Sequence, residues 1–119
     1  MGFTFVNELP TPDMIREQFP LAPNLAEAKL QRDEEIKNVL TGESDKFIVL
    51  IGPCSADNED SVVDYASRLV RVQEKTKDRL IIIPRVYTNK PRTTGEGYMG
   101  MIHQPDPEKK PDMFEGILA

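Results

Sequence analysis

Two short, uninterrupted apolar runs constrain this chain more than any other feature. Residues 47–51 read FIVLI and residues 80–84 read LIIIP. Each has the length and β-branched content of a strand, and neither alternates with polar residues, the pattern of strands covered on both faces. Between them lies one helix's worth of chain, in which Val62, Tyr65, Ala66, Leu69 and Val72 share a face while Asp64, Arg68, Arg71 and Lys75 face water. Gly52 and Pro53 end the first run, and Asp57 or Asn58 opens the helix. Strand, helix and strand in this order make a βαβ unit, which dictates a parallel pair with a right-handed crossover. The fold class is therefore α/β. Pro84 donates no ladder hydrogen bond, so an irregular strand end is expected there.

The flanking segments are helical arms and loops. Pro10, Pro12, Pro20 and Pro23 permit only a short first helix, with Thr11 as its cap and Met14, Ile15 and Phe19 turned inward. Asn24 followed by Glu27 has the form of a capping box for a second helix. Its broad apolar face is Leu25, Leu30, Ile36, Val39 and Leu40, and Gly42 stops it. After Thr94 the chain runs through GEGYMGMIHQPDPEKKP without periodicity, and Asp112 can cap a last helix beginning MFEGILA. Two parallel strands leave both edges and one face uncovered, so the chain is expected to be the amino-terminal part of something larger.

Charge is distributed unevenly. The chain of 119 residues has a formal net charge of -5, yet between Arg79 and Gly95 it carries Arg85, Lys90 and Arg92 with no carboxylate. An acidic protein with one local cluster of cations suits a small, highly charged ligand and does not suit nucleic acid, which needs a broad basic face. No apolar run approaches the roughly 20 residues that span a bilayer, and MGFTFVNELP lacks the basic and apolar regions of a secretory signal, so a cytoplasmic protein with no membrane partner is expected. One cysteine agrees with a reducing compartment and leaves Cys54 as either packing or chemistry.

Position joins these features. Ligands of α/β sheets sit at the carboxyl ends of the strands. Cys54 follows the first strand and the loop from Arg85 to Thr94 follows the second, so both are expected at one mouth. Thr93 and Thr94 add hydroxyls to the guanidinium groups that would clamp a phosphate. Gly95, Gly97 and Gly100 match a dinucleotide fingerprint by letter, but no strand precedes them directly and Pro105 and Pro107 occupy the place of the helix, so loop flexibility is the expected use. His103 reads as a loop residue.

The motifs IGPCS at 51–55 and PRVYTNKPRTT at 84–94 resemble those of the metal-dependent 3-deoxy-D-arabino-heptulosonate 7-phosphate (DAHP) synthases. The resemblance implies the amino-terminal part of a (β/α)8 TIM barrel with a helical extension: an arm and helix over 1–45, then the first two β/α units over 46–119. It implies condensation of phosphoenolpyruvate with erythrose 4-phosphate, the first step of the shikimate pathway. Cys54 would be a thiolate ligand of a divalent metal, for which manganese, iron, cobalt and zinc all suit. Arg85 and Lys90 would bind the carboxylate and phosphate end of phosphoenolpyruvate, Arg92 with Thr93 would hold the phosphate of the aldose, and Thr94 would be a further substrate-binding residue. A full-length relative would be a homo-oligomer, and this chain alone would be inactive. Met99 stands where the family commonly has lysine. The alternatives are a noncatalytic phosphate-binding or regulatory fragment of such a barrel and, within the enzyme class, an octulosonate synthase, which the NKPRTT loop fits less well.

Overall fold

A computed structural model of the chain describes residues 2–119. Along the sequence run helices α1 (Pro12–Gln18) and α2 (Pro23–Leu40), strand β1 (Phe47–Ile51), helix α3 (Glu59–Thr76), strand β2 (Leu80–Pro84) and helix α4 (Met113–Leu118). Two compact units divide the chain, one of residues 2–20, 54–59 and 87–119, the other of Leu21–Pro53 and Asp60–Val86. Among the described residues no helix is long and apolar enough to cross a membrane.

The second unit holds the sheet. β1 and β2 pair in parallel, in a register running from Phe47 opposite Leu80 to Ile51 opposite Pro84. The ladder is closed by Phe47 N–H to the Arg79 carbonyl at 2.9 Å and by Arg85 N–H to the Ile51 carbonyl at 2.8 Å. Successive backbone N–H groups of a strand point to opposite sides. Arg85 faces β1, so the Pro84 nitrogen lies on the other edge, and its missing hydrogen costs the ladder nothing. The strand end is regular, contrary to the expectation from Pro84.

The outer edge of β2 is occupied from within. Gln73 of α3 donates from Nε2 to the Leu80 carbonyl at 2.9 Å, and its Oε1 accepts from the Ile82 N–H at 2.6 Å. The carboxamide thus takes the place of a neighbouring strand's peptide group. Gln73 is buried on the helix face where Val62, Tyr65, Ala66 and Leu69 are half-buried. Val72, expected on that face, is exposed.

Burial corrects the expectation of two fully covered strands. Ile81 is fully buried, but Phe47 is 72% and Leu50 69% exposed. An apolar run records that both faces of a strand favour cover; it does not require that these residues provide it. The same holds in α1 and α2: Met14, Phe19, Leu25, Leu30 and Leu40 are all exposed, while Ile36 and Val39 are half-buried.

The caps follow local chemistry with one exception. Thr11 accepts from the Met14 N–H in α1, and Asp112 accepts from the Phe114 and Glu115 N–H groups in α4. In α2 the cap is Ala22, without a side-chain bond, and the helix opens on Pro23. Proline's fixed φ suits the first helical position, and it displaces Asn24 from the capping site into the first turn.

Candidate functional site

The motif residues at the end of β1 are built around close backbone approach. A Cβ on Gly52 would lie 1.8 Å from the Arg85 carbonyl oxygen, so the strand ends can run side by side only with glycine at this position. Arg85, on the chain leaving β2, donates from Nη2 to the Pro53 carbonyl at 3.0 Å. Its guanidinium is therefore held against the turn that ends β1.

In the other unit Cys54 and Lys90 meet. The Lys90 ammonium donates to Ser55 Oγ at 2.8 Å and to the Cys54 carbonyl at 3.3 Å, and lies 3.2 Å from Cys54 Sγ. An ammonium has three donors, and here each has an acceptor on residues 54–55. Cys54 is an exposed residue. Ser55 was quoted in the first motif without a role; nothing but its hydroxyl beside the cysteine could have marked it as a partner of a lysine in the second motif.

The loop from Thr88 to Gln104 folds back on itself. Lys90 N–H donates to the Met99 carbonyl at 2.7 Å, and Ile102 N–H to the Thr88 carbonyl at 3.0 Å. Gly100, with φ +108°, permits this: a Cβ there would stand 2.3 Å from the Thr88 oxygen. The glycines of this stretch thus serve close approach and turns, where flexibility was expected. Arg92 donates from Nε to the Tyr98 carbonyl at 3.0 Å. The Tyr98 hydroxyl in turn reaches the carbonyls of Ala56 at 3.1 Å and Gln104 at 2.9 Å. Burial, and secondarily the Asp57 carboxylate, push the Tyr98 phenol above its ordinary value of 10.0, so it remains a donor throughout the neutral range. Thr93 and Thr94 are exposed, and Thr94 Oγ1 accepts from the Glu96 N–H at 3.5 Å. His103 Nε2 lies 3.3 Å from Asn89 Oδ1, in keeping with a loop residue.

Of the predicted site residues, the structure brings Cys54 and Lys90 together, turns Arg92 to Tyr98 and holds Arg85 on Pro53. Among the described residues no three His, Cys, Asp or Glu side chains gather in a way that would hold a metal ion. Cys54 offers a single donor.

The chain is similar in sequence to known enzymes and in architecture to a solved one. A solved phospho-2-dehydro-3-deoxyheptonate aldolase from Francisella tularensis SCHU S4 superposes with a TM-score of 0.88 at 28% identity, covering 98% of this chain and 34% of its own. The phenylalanine-inhibited phospho-2-dehydro-3-deoxyheptonate aldolase of Saccharomyces cerevisiae is 34% identical over 109 residues, 92% of this chain and 29% of its own length. The Phe-sensitive enzyme of Escherichia coli K12 is 36% identical over 112 residues, 94% of this chain and 32% of its own. The chain spans about a third of the length of these relatives. With residues 22–114 matching its family model, the chain belongs to the DAHP synthetase I family.

Proposed function

We propose that this chain forms part of a (β/α)8 barrel synthase that condenses phosphoenolpyruvate with erythrose 4-phosphate to 3-deoxy-D-arabino-heptulosonate 7-phosphate and inorganic phosphate. Residues 46–119 are its first two β/α units and 1–45 its arm and helix. The observation that carries the reading is the Lys90 ammonium 3.2 Å from Cys54 Sγ, which joins the two family motifs at one point. The relatives named phospho-2-dehydro-3-deoxyheptonate aldolase support the same reaction.

Two phosphates and a carboxylate repel one another, and bringing them together is the first demand of this condensation. Arg85 and Lys90 neutralise the carboxylate and phosphate of phosphoenolpyruvate, while Arg92 with Thr93 and Thr94 takes the phosphate of the aldose. Held in this way, C3 of phosphoenolpyruvate attacks the aldehyde carbon, water adds at C2, and phosphate leaves. Orientation of the two substrates is the contribution these residues make. Cys54 would be one ligand of a divalent ion, which would supply Lewis acidity when bound.

The test is phosphate release from the two substrates by the protein expressed from its complete reading frame, with divalent metal supplied. Release that depends on both substrates supports the reading, and its absence overturns it. Cys54→Ala is expected to abolish turnover, and full activity in that variant would remove the ligand assignment.

A further inference from the structure

Tyr98 occupies a junction to which no role in this reaction has been given. Its backbone carbonyl holds Arg92 Nε at 3.0 Å, and its hydroxyl reaches Ala56, a residue with 0% exposure, as well as Gln104. The guanidinium also lies along the bare backbone of Gly97, where a Cβ would stand 3.8 Å from Cζ, Nε and Nη2. A guanidinium bound through Nε keeps its two Nη groups for a bidentate anion. One phenol therefore ties the carbonyl that aims Arg92 to a buried residue just beyond the Cys54–Ser55 pair.

We infer that Tyr98 is a positioning residue that orients Arg92 toward the phosphate of the aldose substrate by fixing the 92–98 loop on Ala56. This rests on the proposed condensation and on Arg92 as the aldose-phosphate ligand. Lys90 reaches residues 54–55 through its own ammonium, so the phosphoenolpyruvate subsite does not depend on the phenol. The consequence is selectivity: loss of the hydroxyl weakens one substrate and spares the other.

Steady-state kinetics of the Tyr98→Phe variant, in protein expressed from its complete reading frame, test this. The Michaelis constant for erythrose 4-phosphate should rise about fivefold, the worth of one hydrogen bond, while that for phosphoenolpyruvate stays at the wild-type value. Tyr98→Trp, which keeps a donor on an aromatic frame, should recover part of the loss. In an Arg92→Lys background Tyr98→Phe should add nothing, because both changes remove the same interaction. Equal rises in both Michaelis constants, no change in either, loss of the fold in Tyr98→Phe, or additive effects in the double variant would each overturn the inference. Failure of wild-type protein to release phosphate overturns the function itself and is distinguished by that control.

Discussion

Room for a single methyl group governs the loop at Gly100. Alanine there would bring its Cβ to 2.3 Å from the Thr88 oxygen at a φ of +108°, and the backbone would have to move. Gly100→Ala should cost about 2–3 kcal/mol locally. It is read as faster hydrogen exchange at the Lys90 and Ile102 amides, whose acceptors flank the glycine. Met99 presents a different question. Its carbonyl accepts from the Lys90 N–H, so its side chain springs from the same loop that carries the cations, and a lysine there adds a charge to it. Under the proposed condensation, Met99→Lys should lower the Michaelis constant for phosphoenolpyruvate, and an unchanged constant would dispose of that role. Tyr98 gives a pH signature. A phenol whose folded pKa lies above 10.0 contributes stability that is whole below pH 10 and lost as pH rises through the folded value. Ultraviolet titration should show a tyrosine component ionising above pH 10, and Tyr98→Phe should delete that component.

At the scale of elements, β2 is protected on the side away from β1. Gln73 satisfies the Leu80 carbonyl and the Ile82 N–H, and Pro84 presents no donor on that edge. Open strand edges recruit other strands, and a side-chain amide together with a proline blunts this one. Gln73→Leu should leave both backbone groups without partners at a cost of about 2 kcal/mol and expose the Ile82 amide to exchange. Gln73→Glu keeps an acceptor for Ile82 but loses the donor to Leu80, so it should retain protection at Ile82 while destabilising the edge. The sequence showed α3 as an amphipathic helix, yet ranked Gln73 as an ordinary polar residue on it. Helical periodicity specifies which face a side chain is on; whether a glutamine there is a defect or a surrogate peptide depends on what the strand brings alongside.

For the whole molecule the decisive quantity is exposed surface. Among the described residues the buried apolar side chains are Ala56, Ile81 and Met101, while Phe47, Leu50, Leu30 and Leu40 remain exposed. So small a buried set leaves little to offset the conformational entropy of folding. The 119-residue chain by itself should therefore melt without a sharp cooperative transition by circular dichroism, and a steep two-state melt would contradict this. Much of the architecture was legible beforehand because it is written in neighbours along the chain. FIVLI and LIIIP specify strands through β-branching, and Thr11 and Asp112 specify helix starts through hydroxyl and carboxylate groups a few bonds from the amides they cap. The sequence by itself also placed Cys54 and the cationic loop after successive strands. It could not decide which donors meet, because a contact between Lys90 and Cys54, 36 residues apart, or between Tyr98 and Ala56, 42 apart, depends on how the intervening loops close. Only the tertiary structure decided those pairings, and with them which cation lies at the sulfur and which donates to the Tyr98 carbonyl.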